Sequence, residues 1–332
     1  MSIPRSRSSF RGGERERHLD IMKLWVGLTD DEWFGVVSSI PNIDEVNFWQ
    51  PGGGGRQFRI LQPGEPFLFK LHSPQNYVVG GGFFAHWTKL PISLAWEAFG
   101  EKNGAKSYED MRRLIIKRRG AEKVRYEDFG IGCVLLEQPF FLPRSEWLPV
   151  PSDWRPAIQQ GKQYSLATSP GKDLWESVQL RLSAMGKPWL MPLRTEEGPR
   201  YGDPVMIAPR LGQGTFRVLV TDAYRRSCAI TGEHSLPVLE AAHIKPFSSE
   251  GPHVVNNGLL LRSDFHRLFD RGYITVTPEY QIKVGRRLND DFKNGRYYYP
   301  FDGRPLSHLP LSASDRPQKE LLIWHNENVF RG

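Results

Sequence analysis

Three side chains able to transfer protons or bind ligands follow one another in the last third of the chain: His243, Asn257 and His266. The imidazole of a histidine has an ordinary pKa of about 6.5, so it exchanges a proton near neutral pH, and it is also a common metal ligand. The amide of an asparagine both donates and accepts hydrogen bonds and can hold a loop in place. These residue types suit proton transfer and metal binding at one site.

The segments around these residues predict two strands followed by a helix. Residues 239–244 form a short apolar run with β propensity, residues 228–231 form another, and Gly232 opens the connection between them. We therefore expect these two runs to pair as a β-hairpin. Farther along, Ser263 suits a helix N-cap. Apolar residues at helical spacing place His266 near the start of that helix, namely Phe265, Leu268 and Phe269.

The order strand, strand, helix with His243, Asn257 and His266 resembles the ββα unit of HNH nucleases. The resemblance implies that one divalent cation, Mg²⁺ or Mn²⁺, is held between the hairpin and the helix. It also implies that His243 takes a proton from the attacking water and that His266 binds the metal. Asn257 would fix the connecting loop and orient His243. The expected activity is that of a metal-dependent endodeoxyribonuclease.

One position departs from the pattern of that family. Many HNH sites carry a metal-binding Asp or His just before the base, whereas this chain has Ala242 there. Glu240 is two residues earlier on the same side of the strand, so we expect it to be the second metal ligand. Asp270, four residues after His266 on the same helical face, is the alternative ligand, or it forms an ion pair with Arg267 or Arg271.

Composition limits the remaining chemistry. Cys133 and Cys228 are the two cysteines of the sequence, so a four-cysteine zinc site is excluded and we expect no structural zinc. No apolar run approaches the length of a membrane-spanning helix, and residues 1–18 contain no apolar core of a signal peptide. We expect a soluble, cytoplasmic protein with no membrane partner.

A net charge of +7 favours a polyanionic partner, although a solvated surface is the alternative. Residues 1–20 are expected to form a flexible basic arm. Ser107 suits the cap of a helix that Gly120 ends, and this helix carries a cluster of basic residues. The expected contacts to the DNA backbone are Arg112, Lys117, Arg118 and Arg119.

Residues 21–150 contain short apolar runs broken by Gly and Pro, which predict a compact β-barrel interrupted by helices. The stretch at 62–71 resembles a barrel strand of the PUA-like superfamily, which contains the EVE, ASCH and SRA modules. That resemblance implies a pocket that reads a modified base after the base has left the stack. The expected base-recognition residues are two tryptophans and two polar side chains, namely Trp87, Trp49, Asn76 and Tyr77.

The predicted fold class is α+β, with a PUA-like barrel at 21–150, a Pro-rich linker with a helix at 151–205 and a ββα-metal nuclease domain at 206–332. The predicted function is that of a restriction endonuclease that cuts double-stranded DNA carrying a modified base. Since each chain has one cutting site, we expect two chains to act together. One alternative is an unspecific or structure-guided HNH nickase, and another is a non-cutting RNA- or DNA-binding protein with a degenerate HNH unit.

Overall fold

The chain divides into two compact units, residues 1–209 and residues 210–332, in a computed structural model. The structure describes residues 22–52, 57–121, 124, 126–186 and 211–332. The predicted basic arm at 1–20 and the later part of the predicted linker lie outside the described residues. Within the described residues, no helix has both the length and the apolar character needed to cross a membrane.

The first unit is built on one mixed β-sheet. Its strands run in the order β2, β5, β4, β3, β1, β7, and β6 pairs with the start of β4. The strands are β1 (Lys23–Thr29), β2 (Glu45–Gln50), β3 (Pro66–Leu71), β4 (Tyr77–Pro91), β5 (Gly130–Phe141), β6 (Leu148–Pro149) and β7 (Gly161–Ser165). The helices are α1 (Asp31–Ser39), α2 (Ile92–Phe99), α3 (Tyr108–Arg119) and α4 (Gly171–Ala184).

The expected α+β class is confirmed, but the strands of the expected compact β-barrel do not close into one in the described residues. In the part of the chain that the structure describes, the sheet is open, because β2 and β7 lie at its two ends and are not paired with each other. Helix α4 packs on one face of the sheet, and its Trp175 and Val178 join Leu24 and Leu68 in a buried core. An apolar core between a sheet and a helix therefore replaces the barrel interior. Alternating apolar runs predict strands, but they do not predict whether the first and last strands meet.

Part of the predicted linker lies in this sheet and core. Strand β7 pairs antiparallel with β1, with Tyr164 opposite Leu24. Helix α4 occupies the position of the helix expected in the linker, and its Val178 and Leu182 are buried in the core of the first unit. Residues 161–184 thus belong to the first unit, whereas the remaining domain boundaries stay predictions.

The second unit places a two-stranded hairpin between helices. Its elements are α5 (Gln213–Ala223), β8 (Leu239–His243), β9 (Gly258–Arg262), α6 (Ser263–Asp270), β10 (Ile274–Val276), β11 (Ile282–Val284), α7 (Arg287–Phe292) and α8 (Lys319–Asn328). Strands β8 and β9 are antiparallel, with Leu239 opposite Arg262 and His243 opposite Gly258. Buried apolar side chains of the hairpin and of α5, α6 and α8 form one core, including Phe216, Leu260, Phe265 and Leu322.

The hairpin differs from the predicted one in its partner strand. Residues 228–231 form a buried turn, in which the amide of Gly232 donates to the carbonyl of Cys228 at 3.0 Å. The amide of Ala229 donates to the carbonyl of Leu260 at 2.7 Å, so the turn packs against the hairpin without being one of its strands. The apolar character of this run reflects burial, which a strand and a buried turn share. The partner of β8 is instead β9, just after Asn257 in the sequence.

Candidate active site

His243 is the last residue of β8, and its ring rests on helix α5. The ring stacks on Phe216 with 3.9 Å between centroids and 10° between planes. Its strand partner is Gly258, where an added Cβ would overlap the side chain of Val220 and come within 3.2 Å of the Phe216 ring. A glycine at this position therefore lets α5 approach the hairpin closely enough for the stack to form.

The surroundings of His243 favour a neutral imidazole. Its pKa is lowered to about 4, chiefly by burial and then by the charges of His253 and His266, whereas the charge of Asp270 acts in the opposite direction. Its Nε2 atom is buried and has no hydrogen-bond partner among the described residues. His253 is the other ring beside it, with 5.0 Å between centroids and 58° between planes. A neutral ring at pH 7 is able to accept a proton.

Asn257 is fully buried and fastens both ends of the loop after β8. Its side-chain oxygen accepts the amide of Lys245 at 2.9 Å, and its side-chain nitrogen donates to the carbonyls of Lys245 at 2.9 Å and Pro252 at 2.8 Å. Its backbone carbonyl accepts the amide of Ile244 at 2.9 Å. These bonds fix the backbone on either side of residues 246–251. They reach His243 only through the chain, so its orientation depends on other contacts.

His266 is on the first turn of α6, and its ring lies between the carboxylates of Glu240 and Asp270. Its Nδ1 atom is 2.6 Å from Oε2 of Glu240, and its Nε2 atom is 3.3 Å from Oδ2 of Asp270. Burial lowers the pKa of this imidazole, but the hydrogen bonds and charges of Asp270 and Glu240 outweigh burial, and the net shift is upward. Both candidates for the second metal ligand therefore meet at the same ring. The prediction of an ion pair between Asp270 and Arg267 or Arg271 finds no support in these contacts.

The donor atoms at His266 suit a divalent cation by type. Mg²⁺ and Mn²⁺ prefer carboxylate oxygens and retain several waters, and an imidazole ligand commonly donates through its other nitrogen to a carboxylate. Glu240, His266 and Asp270 provide this set. In the described residues, no group of three or more such side chains is already arranged around a common metal position. The two acids are hydrogen-bonded to the ring, so binding of a cation requires one of them to turn toward it.

The start of α6 differs slightly from its prediction. The helix begins at Ser263 itself, and the preceding position is occupied by Arg262. The guanidinium group of Arg262 makes two 2.7 Å hydrogen bonds to the carboxylate of Asp264. This bidentate contact fixes the strand-to-helix junction just before His266.

The four base-recognition residues fall into two separate groups. Trp49 is buried and donates from Nε1 to the carbonyl of Asn103 at 2.8 Å, and Trp87 donates to the side chain of Gln50 at 3.0 Å. Asn76 and Tyr77 lie at the other end of β4, which extends from Tyr77 past Trp87. At about 3.3 Å per residue, the two ends of this segment are on the order of 30 Å apart. One base cannot contact all four residues.

At the start of β4, polar contacts centre on a buried lysine. The ammonium of Lys70 donates to the side-chain oxygen of Asn76 at 2.7 Å and lies 5.2 Å from the centre of the Trp154 ring. Burial lowers the pKa of Lys70. Tyr77 is 42% exposed, and its ring lies 6.0 Å from that of Trp147.

Helix α3 has the predicted cap, since Ser107 accepts the amide of Asp110 at 3.1 Å. Two of its four predicted phosphate-binding residues have partners inside the protein. Arg118 bonds to the carboxylate of Asp30, and Arg119 donates to the carbonyl of Gly130 at 3.1 Å. Arg112 and Lys117 are the better candidates for a phosphate contact.

Sequence reasoning missed His253 and the part played by Phe216. His253 lies in the loop between His243 and Asn257, where no spacing rule points to a histidine. Phe216 is a buried core residue of α5, and its stacking on His243 depends on the close approach at Gly258. The one available signal was that His253 stands between two residues of the motif.

The ββα unit thus has a histidine on a hairpin strand, a buried asparagine in the connection and a histidine on the following helix. Residues 228–277 match the family model of the HNH endonucleases, so the predicted resemblance to that family is confirmed for this segment. No curated protein sequence matches the chain.

Two solved structures illustrate the wider similarity of the chain. The ASCH protein of Zymomonas mobilis is 10% identical, with 47% of this chain and 94% of that chain covered and a TM-score of 0.32. The modification-dependent TagI restriction endonuclease is 12% identical, with 91% of this chain and 81% of that chain covered and a TM-score of 0.27.

Proposed function

We propose that this protein is a metal-dependent endodeoxyribonuclease that cuts DNA carrying a modified base. The observation that carries the nuclease part is the pair of sites in the ββα unit. His243 on β8 is kept neutral by burial, and His266 on α6 is held between Glu240 and Asp270. The match of residues 228–277 to HNH endonucleases supports the same activity.

In this proposal His243 is the general base. Its Nε2 atom is buried, so we assign Nδ1 as the nitrogen that accepts a proton from the attacking water. The lowered pKa keeps the ring unprotonated well below neutral pH, although it also makes the imidazole a weaker base. Asn257 holds the loop that follows, which fixes the backbone after the base.

His266 would hold the cation together with Glu240, and Asp270 would keep the ring oriented or join as a ligand. A divalent cation at this place supplies positive charge for the phosphate and the departing oxygen. The three residues bring one imidazole and two carboxylates together, which keeps the ligand set in spite of Ala242.

The first unit would read the modified base of double-stranded DNA. Trp49 and Trp87 near Gln50 form one candidate wall, and Asn76 with Tyr77 at the other end of β4 forms another. Arg112 and Lys117 on α3, together with Arg118 and Arg119 after release from their internal partners, would contact the DNA backbone. Each chain offers one cutting site, so we expect a homodimer or a transient dimer on DNA, acting in the cytoplasm.

The test uses Mg²⁺ or Mn²⁺ with matched plasmids from modifying and non-modifying hosts, beside a His243→Ala variant and a reaction with chelator. Cleavage of the modified plasmid alone, abolished by the variant and by the chelator, is the expected result. Equal cleavage of both plasmids would reject the reader and favour an unspecific nickase. Absence of cleavage with retained binding of RNA or DNA would reject the nuclease.

A further inference from the structure

The Nε2 atom of His243 is an unsatisfied polar atom on the ring assigned as the base. It is buried without a hydrogen-bond partner in the part of the chain that the structure describes. Buried polar groups of proteins are nearly always hydrogen-bonded, so such an atom calls for a partner. The requirement is stricter for a base, because the ring that leaves Nδ1 free to accept a proton carries its own proton on Nε2.

Two rings touch the imidazole, and one of them is polar. Phe216 covers one face at 3.9 Å and has no hydrogen-bond acceptor in its side chain. His253 lies beside the same ring at 5.0 Å between centroids, and its Nδ1 atom is buried as well. A neutral imidazole always has one nitrogen that accepts a hydrogen bond. The two rings are not hydrogen-bonded in the structure, and the bond requires a turn about the side-chain torsion of His253, which is a soft torsion in histidine.

The backbone next to His253 is held by the same residue that closes the loop after His243. Asn257 donates to the carbonyl of Pro252, the neighbour of His253, and also bonds to Lys245 on both its amide and its carbonyl. Gly251 donates to the carbonyl of Pro246 at 3.0 Å, and an added Cβ there would overlap the carbonyl of Lys245. The loop can therefore present His253 to His243 at a fixed place.

We propose that His253 is a positioning residue that accepts a hydrogen bond from Nε2 of His243 and thereby directs Nδ1 of His243 to the attacking water. The inference rests on the proposed role of His243 as the base. It adds a third group that orients the base, as enzymes with an activated nucleophile commonly have. It also assigns a role to Asn257, which holds the backbone beside His253.

Three substitutions of His253 separate a hydrogen bond from mere filling of space. His253→Gln retains an acceptor, His253→Phe retains a ring without an acceptor, and His253→Ala retains neither. We expect kcat for DNA cleavage to fall about 10-fold to 100-fold in His253→Phe and His253→Ala, because a misplaced base loses on this order. KM should stay within about twofold, since the base does not hold the DNA, and His253→Gln should keep kcat within about threefold of the natural protein.

His308 provides a matched control in the same unit. It is partly buried with a buried Nδ1 atom, and it lies beside Gly232 rather than in the site. His308→Phe and His308→Gln should leave kcat unchanged. Thermal unfolding of all five variants separates a loss of fold from a loss of orientation. A folded His253→Phe with full kcat would overturn the proposal, and so would a folded His253→Gln as slow as His253→Ala.

Nitrogen NMR of the histidine rings tests the hydrogen bond without relying on cleavage. We expect a slowly exchanging proton on Nε2 of His243 that is lost in His253→Phe and retained in His253→Gln. If the natural protein cuts no DNA but this proton behaves as expected, the proposed function fails while the contact stands. If the natural protein cuts DNA and the proton is the same in His253→Phe, the contact fails while the nuclease stands.

Discussion

In the His253→Gln variant, whose side-chain acceptor does not change its protonation state, lowering the pH from 7.5 to 5.5 should leave the cleavage rate nearly unchanged. The pKa of His243 is about 4, chiefly because the ring is buried and secondly because of the charge of His253. At pH 5.5 a group with this pKa is about 97% unprotonated, whereas an imidazole with the ordinary pKa of about 6.5 would be about 9% unprotonated. The two cases differ about tenfold in the population of active base.

The assay is the pH dependence of kcat/KM of His253→Gln from pH 5 to 8, which reports the ionisation of the free enzyme. Metal affinity also depends on pH, because protons compete for His266 and its carboxylates, so Mn²⁺ is titrated to saturation at each pH. DNA binding by His243→Ala over the same range corrects for changes in affinity. A tenfold fall in the corrected rate by pH 5.5, with a midpoint near 6.5, would refute the reasoning that burial sets the pKa of this base.

Three further predictions concern the groups around the site. Glu240→Gln should raise the Mg²⁺ concentration for half-maximal cleavage by about 10-fold or more, and Asp270→Asn should raise it less, since Glu240 is closer to the ring; equal effects would contradict this ranking. His325 is buried, and its pKa is lowered to about 4. Between pH 6.5 and 4 its imidazole is therefore protonated in the unfolded chain but mostly neutral in the folded chain. Its contribution of about 3 kcal/mol to the free energy of unfolding is complete above pH 6.5 and disappears toward pH 4; urea unfolding should reveal this slope in the natural protein and a flatter one in His325→Gln. Gly251→Ala should lower the free energy of unfolding by about 1–3 kcal/mol through overlap with the carbonyl of Lys245. A change under about 0.5 kcal/mol in urea unfolding would show that the loop backbone shifts to accommodate the methyl group.

The sequence predicted the helix of the site better than its hairpin. Helix α6 could be predicted because its apolar spacing lies within a few residues of His266. The partner of β8 depends on a long-range choice between two apolar runs, 228–231 and 258–262, which local propensity does not decide. Asn257 marks the start of the correct run, since its backbone and side chain close the loop that lets β9 return beside β8.

Contacts between distant residues were the other part that the sequence did not give. The stack of Phe216 on His243 requires α5 to lie against the hairpin, and this depends on Gly258. The separation of Trp87 from Tyr77 follows from the length of β4, which has 15 residues. The glycines in its first half make so long a strand hard to predict from the sequence. An added Cβ at Gly80 would meet the carbonyl of Phe140, so this glycine permits the close approach of β4 and β5.

The alanine at position 242 favours the interpretation that the acidic metal ligand has moved to Glu240 over the interpretation that it has been lost. Its side chain is fully buried in the core of the second unit, opposite Leu259 of β9. A carboxylate at that position would be removed from water and would have no cation to replace its hydration, which costs free energy of folding. Glu240 is only partly buried, and its carboxylate already contacts Nδ1 of His266. The chain therefore keeps an acidic group at the helix histidine while using position 242 for packing, as expected if the ability to bind a cation is retained.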